Sequence, residues 1–309
     1  MKKLLIICSI FIGSYSFAQT DMDGLMMNKN LFCAGITAGK TSWKNYWEGT
    51  FKRENLNLGK VSTVNITLNG NYGITSRLNV IAMLPYIKTK ASAGQLAGQQ
   101  GLQDVSVFVK WSGYEKQFKK SILKTILIGG VSSPVSNYTP DIMPLSIGTK
   151  SKTATLRAMV DYQQGNWFGT ISGSYIFRNN VMLDRNTYYT NRIHYTNKVA
   201  MPNASNYNIR AGYRSETWIV EAMANKWITN GGFDITKNNM PFVSNKMNAT
   251  TIGLHVKYET NFVDGLSFVA DGITTVAGRN VGQANGFNAG IFYIMNFGKK
   301  VKEPATQSN

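Results

Sequence analysis

Histidine and cysteine are almost missing from this chain, with two of each in 309 residues. His194 and His255 lie far apart, and beyond the leader only Cys33 remains, so no zinc-type ligand set of three or four such side chains can form. Neither a metal nor any other cofactor is therefore expected. An exported chain with one cysteine also has no internal disulfide, and its fold must rest on hydrogen bonding and packing. Long apolar runs are lacking as well: past the leader no stretch reaches the roughly 18 residues that a membrane-spanning helix needs. That excludes an inner-membrane helical transporter. Acidic residues are scarce, 16 against 33 Lys and Arg.

What is present begins with Lys2 and Lys3, an apolar stretch from Leu4 to Phe17, and Ser16-Phe17-Ala18. Small residues at both cleavage-determining positions make residues 1–18 a secretory signal peptide cut after Ala18. Without Lys2 and Lys3 the balance is 31 basic to 16 acidic residues, a mature charge of +15. Export removes nucleic acid as a partner, and the phosphates of lipopolysaccharide become the anions that such a charge would meet.

From Lys60 onward side-chain character alternates with period two over segments of about 10 residues, the length a tilted strand needs to cross the hydrocarbon layer. One face of the first such segment reads Val64, Ile66, Leu68, Gly70, Tyr72, and the other Thr63, Asn65, Thr67, Asn69, Asn71. The next repeats the apolar set with Leu78, Val80, Ala82, Leu84, Tyr86. Continued along the chain, the pattern places strands near 31–40, 60–74, 78–88, 102–111, 121–132, 152–163, 167–178, 204–214, 217–228, 249–259, 266–278 and 286–297. Short connections (75–77, 164–166, 215–216, 260–265) alternate with long ones (41–59, 89–101, 133–151, 179–203, 229–248), as periplasmic turns and external loops do. Tyr72, Trp111, Tyr162, Trp167, Tyr213, Trp218, Tyr258 and Phe297 all fall at the short-turn ends on the lipid-facing parity, as an interfacial girdle would. The fold expected is thus all-β: a transmembrane antiparallel up-and-down barrel of about twelve strands over 19–297, in the cell outer membrane, with a short basic periplasmic tail at 298–309. A soluble β-sandwich would have shorter strands and no alternation of loop length.

Leu84-Pro85-Tyr86, followed by Gly101-Leu102-Gln103-Asp104 and the strand to Lys110-Trp111, resembles outer-membrane transporter-like barrels of the phenol meta-pathway degradation family. Gln103 departs from that family's glycine, and Ser132-Ser133-Pro134-Val135 stands where the family has Leu-Pro-Thr-Gly. The likeness covers about 70–135, and the stretch from Trp43 to Leu58 is similar to members of Bacteroidetes type. It implies a barrel that passes hydrophobic or aromatic compounds and supplies no catalytic residue. Pro85 cannot donate to a β-ladder, and the pattern predicts that it marks the outer end of its strand or a local opening in the wall.

The interior parity carries Asp104, Lys110, Arg157, Asp161, Arg210, Arg214, Glu221, His255, Lys257 and Asp271. These side chains either pair into a network that stiffens or plugs the barrel or form a selectivity lining, basic through Arg157, Arg210, Arg214 and Lys257. The same face holds Phe108, Met159, Met223 and Phe292, apolar surface suited to a greasy substrate or to a packed, filled barrel. At or beyond the outer rim seventeen Lys and Arg stand against five acids, an excess suited to lipid phosphates. Enzymatic chemistry is not expected. Outer-membrane phospholipases use a His-x-Ser-Asn-Gly motif, and neither Arg192-Ile193-His194-Tyr195 nor Leu254-His255-Val256 provides it; a phosphate-binding glycine loop and a Gly-x-Ser-x-Gly elbow are also missing. Two functions remain open. One is a channel for small hydrophobic or amphiphilic compounds, anionic aromatic ones among the candidates; the other is a closed structural or surface-interaction barrel acting through its loops.

Overall fold

The computed structural model describes residues 20–235 and 240–298. The expected signal peptide, the tail from 299 onward and the rim cation Lys237 lie outside the described residues. Twelve long antiparallel strands close into a barrel, with no helix among the described residues. They are β1 (Leu31–Trp43), β2 (Val61–Thr75), β3 (Leu78–Ala91), β4 (Asp104–Gln117), β5 (Ser121–Pro134), β6 (Thr153–Gln164), β7 (Trp167–Arg178), β8 (Ala204–Arg214), β9 (Trp218–Thr229), β10 (Asn248–Glu259), β11 (Leu266–Arg279) and β12 (Asn285–Asn296). Each pairs with its sequence neighbours, and β1 closes the ring against β12, from Leu31↔Asn296 to Ser42↔Asn285.

Alternation decides which side chains meet lipid. Leu68, Leu156, Ile171, Ile209 and Leu254 are exposed on the outer wall, while Asn71, Arg157, Thr170, Asn208 and Lys257 of the same strands are buried inside. A solvent-accessible belt of this kind is stable only against acyl chains, which places the wall in a membrane, and a single-chain barrel with an even strand number places the protein in the outer membrane. At the inner end the girdle residues pair across strands: Trp167 stands edge-on to Tyr213 at 5.6 Å, and Trp218 lies 4.6 Å from Tyr258. The inner turns are tight, and in Gly165–Asn166 the first residue has φ +57°, the left-handed conformation that a two-residue hairpin demands and glycine gives freely.

Two sequence expectations change. β4 runs six residues past Trp111, to Gln117, because the register slips between Ser112 and Tyr114; a bulge breaks period two, so the alternation lost its phase there. Pro85 does not end its strand: it pairs with Thr67 in the middle of β3. On the other edge of β3 the ladder to β4 stops at Met83↔Ser106 and resumes at Tyr86↔Leu102, in the short strand Gln100–Leu102, with Pro85 O accepting from Gln103 N at 2.9 Å. The missing proline donor is thereby absorbed as an irregularity in the wall.

The register generates a stability test. Leu254 is 63 % exposed to the lipid side at mid-strand, whereas Thr67 points inward. Leu254→Arg is expected to cost about 2–4 kcal/mol in reversible unfolding from lipid vesicles, and Thr67→Arg much less. Equal costs would mean that the two faces are misassigned.

Candidate functional site

The barrel interior is divided by the chain's own N-terminal segment. Residues 20–30 run in from the inner rim, where Asn30 N donates to Gly73 O at 2.8 Å, and reach mid-depth at Thr20. Gly73 and Gly24 permit this passage, since a Cβ at Gly73 would strike the backbone of Asn28 and one at Gly24 the carboxylate of Asp161. Met27 is buried among Leu31, Cys33, Val269 and Phe292, and Met26 packs on Ile126, Ile128, Met159 and Phe108.

Polar contacts hold the Thr20–Asp23 stretch of the segment. Lys110 is 0 % exposed, and its Nζ donates to Thr20 O at 2.9 Å, Asp23 O at 2.7 Å and Asp23 Oδ1 at 3.0 Å. A buried ammonium is tolerated only with such complete partnering. Arg157 lies 3.5 Å from Asp21 Oδ2 and donates to Ser172 Oγ at 3.1 Å. Next to it Arg214 donates to both oxygens of Asp161 at 3.1 Å, with its guanidinium 3.5 Å above the Phe168 ring.

Residues 20–26 lean on β4–β6 and leave a chamber of about 360 Å³ on the opposite side, bounded by β1, β2 and β8–β12. There Arg210 meets Glu221 at 2.5 Å, His255 Nδ1 lies 3.7 Å from Asp271, and Lys257 lies 3.3 Å from Glu259. Asn288 donates to Asp271 at 2.9 Å and accepts from Asn65 at 3.3 Å. Met223, Ile219, Ile273, Val269, Phe292 and Leu25 give the chamber an apolar flank. Two larger depressions of about 750 and 780 Å³, around Trp111 and Leu156 and around Leu254 and Gly272, open on the lipid-facing wall and do not belong to the lumen.

The predicted interior residues therefore separate into three groups. Lys110, Arg157, Asp161, Arg214, Phe108 and Met159 seat or flank the N-terminal segment; Arg210, Glu221, His255, Lys257, Asp271, Met223 and Phe292 line or border the chamber. Asp104 sits apart near the outer mouth, accepting from Tyr138 Oη at 2.7 Å. Burial and that carboxylate hold the Tyr138 hydroxyl far above the usual phenol range, so it stays a donor to Asp104 while accepting from Lys150 N. All four expected selectivity cations, Arg157, Arg210, Arg214 and Lys257, have a carboxylate within 3.5 Å. Sequence reasoning missed Asp21 and Asp23, although two acids within three positions in so basic a chain were a usable signal. Among the described residues no group of three or more His, Cys, Asp or Glu converges as a metal site.

Loops roof the outer mouth with a small core of their own. Val181, Leu183, Tyr188, Val199, Met201, Phe242 and Val243 are buried together, with Met143 and Phe233 against them. Asn280, at φ +54°, ties three loops: its Oδ1 accepts from Gly49 N and Ile235 N, and its Nδ2 donates to Asp234 and Lys246 O. Arg279 adds a two-pronged pair to Asp234, Nε to Oδ1 at 2.8 Å and Nη2 to Oδ2 at 2.5 Å.

No family model matches the chain, and no curated protein matches it in sequence. Among solved structures its fold is similar to the COG4313 outer membrane channel from Pseudomonas putida F1, with a TM-score of 0.71 at 12 % identity over 92 % of this chain and 98 % of that one. The NanC porin (TM-score 0.46, 8 % identity, 84 % and 98 % covered) and the translocator domain of the autotransporter NalP from Neisseria meningitidis (0.45, 12 %, 88 % and 90 %) are much less similar. The class that fold and interior define is an outer-membrane β-barrel whose lumen is occupied by its own N-terminal segment.

Two outcomes follow for the residues just described. Lys110→Met strands the Asp23 carboxylate in the lumen, and removal of one partner from a buried pair costs about 3–5 kcal/mol. Amide exchange of residues 20–27 should rise sharply while the wall strands stay protected; unchanged protection of the segment would show that its methionines alone hold it. The hydrogen bonds from Arg279 hold the Asp234 carboxyl below the usual carboxylate range. Its contribution to loop order is then present above the unfolded value of about 3.9 and is lost as pH falls through the lower folded value. Asp234 is 39 % exposed, so the effect is screened. Proteolytic nicking of the outer loops should increase at low pH in the parent chain, and Asp234→Asn should show the same nicking at neutral pH.

Proposed function

We propose that this protein is an outer-membrane channel that passes small hydrophobic or amphiphilic molecules, with the N-terminal segment as its gate. The observation that carries this reading is the two-sided chamber. A polar wall of Arg210, Glu221, His255 and Asp271 faces an apolar flank of Met223, Ile273 and Phe292, beside a segment whose Asp23 and Asp21 are held by Lys110 and Arg157. A molecule with a greasy body and one polar end matches both faces. The pairing of each interior cation favours amphiphiles over free anions, and anionic aromatic compounds enter this reading only where their apolar part contributes. The resemblance to phenol meta-pathway barrels of Bacteroidetes type supports the same substrate class, and the solved channel of similar fold supports the transport role. Catalysis has no part in the proposal. The basic outer rim belongs to it as an attachment to lipopolysaccharide phosphates.

The loop core over the mouth favours a second reading, a closed barrel acting through its surface. Planar-bilayer recordings separate the two. Lys110→Met combined with Asp23→Ala removes both charges of the Lys110–Asp23 pair and strands neither. The parent is expected to give small, infrequent openings and the double variant larger or longer ones. Silence of both proteins, with heat-modifiable migration showing intact barrels, would reject the channel.

A further inference from the structure

The outer ends of β1, β2 and β3 carry a group of lysines on the lipid-facing parity. Lys40 and Lys88 flank Val64 in one row of the ladder, Lys40↔Val64↔Lys88, and Lys90 stands two residues further out, across from Ser62. Lys60, just before β2, continues the ladder against Ser92: its N donates to Ser92 Oγ at 2.8 Å, and its O accepts from Ser92 N at 3.0 Å. All four lysines are exposed. Strand spacing puts the Lys40 and Lys88 positions about 10 Å apart, and rise per residue puts those of Lys88 and Lys90 about 7 Å apart.

Their height on the wall matches the headgroup layer. From Tyr72 in the inner girdle, tilted β2 climbs roughly 20 Å along the barrel axis to the row of Lys40 and Lys88 and roughly 30 Å to Lys60. An apolar band about 25 Å tall therefore ends among these lysines. Below them the wall is apolar, with Ile36, Ile66, Leu68 and Tyr86 exposed to acyl chains.

The charge of the patch is not met by the protein. Among the described residues none of the four lysines has an ion pair, and Lys44, the next cation toward the loop, is already paired with Glu54 at 2.5 Å. Residues 1–19 and 236–239 contain neither Asp nor Glu, and the one acid after residue 298, Glu303, follows β12, which ends at the inner rim. The patch is also local: on the lipid-facing parity elsewhere around the rim, Lys152 before β6 and Lys226 on β9 stand singly.

We propose that Lys40, Lys60, Lys88 and Lys90 form a binding site for the phosphorylated diglucosamine headgroup of lipid A, the membrane anchor of lipopolysaccharide, with its acyl chains lying down the wall below. The proposal rests on the rim attachment included in the function above and gives it one place and one ligand; it does not depend on whether the lumen conducts. Clustered cations beside a bilayer recognise anionic headgroups, and four of them suit a headgroup with two phosphates better than a glycerophospholipid with one. Ser42 and Ser62, side by side in the Lys90 row, add hydroxyls for the same phosphates.

The test is native mass spectrometry of the full chain in a mild non-ionic detergent, titrated separately with diphosphoryl lipid A and with phosphatidylglycerol. Lipid A should bind at least about tenfold more tightly, and an excess of inorganic phosphate should not displace it. Replacing Lys40, Lys60, Lys88 and Lys90 together by Gln should weaken lipid A by at least about tenfold, because each lysine beside an anionic headgroup is worth about fivefold. Lys152→Gln with Lys226→Gln should leave the affinity close to that of the parent. Heat-modifiable migration verifies that each barrel is intact. Undiminished binding by the quadruple variant, or an equal loss in the double one, would overturn the assignment to this patch and leave the wider rim attachment standing. A parent that binds lipid A no better than phosphatidylglycerol, or releases it to inorganic phosphate, would overturn both.

Discussion

Inside a bilayer no water is available to a peptide group, so every backbone N–H and C=O of the wall must find its partner on a neighbouring strand. Everything else in this molecule follows from that requirement. An open sheet would leave two edges unsatisfied; the pairing of β1 with β12 removes both. Closure in turn makes alternation absolute, because a strand bonded on both edges can offer its side chains only to lipid or to lumen. A one-residue slip would exchange the two faces. The bulge at Ser112/Tyr114 therefore tells more than a local kink, since β4 keeps Trp111 and Tyr114 both on the lipid side by spending an extra residue near the inner turn.

The interior obeys a second rule that the wall imposes on it. Charges turned inward lose bulk water, and each must be neutralised by a neighbour or left accessible to what water remains. Arg214 finds Asp161 two strands away and Arg210 finds Glu221 on the next strand, but Lys110 and Arg157 have no acid of the wall within ion-pair distance. Their carboxylates come from Asp23 and Asp21, on a segment outside the sheet. The N-terminal segment is thus the complement of a deficit built into β4 and β6, which explains why it lies on that side and why the open chamber lies on the other.

The strands were legible because period two is a local property and survives without knowledge of the partner. All twelve appear within a few residues of where alternation puts them, apart from the bulged end of β4. The inward direction of Lys110, Arg157, Arg210 and Lys257 came from the same parity. Which acid each one meets was not legible, because pairing across a closed ring depends on shear and on segments with no period of their own. Residues 20–30 carry no alternation, and their position is set by side-chain contacts at large sequence separation, such as Lys110 with Asp23. Pro85 shows a different limit. Its missing donor was read correctly as a break in a ladder, yet the break falls on one edge of β3 only, while the other edge pairs without interruption through Thr67.

The two ends of the barrel are closed by different physics. Over the outer mouth, residues such as Leu183, Val199 and Phe242 are buried against one another, and exposing each costs about 1.5–3 kcal/mol. Displacing that roof would mean unfolding a small core. At the inner side Asp21 and Asp23 of the segment are held by Arg157 and Lys110, charged pairs whose separation is offset when water and counter-ions enter the lumen. Met26 and Met27 are flexible apolar side chains that tolerate repacking. A polar latch that trades protein partners for water has a smaller net barrier than an apolar roof that has none to trade.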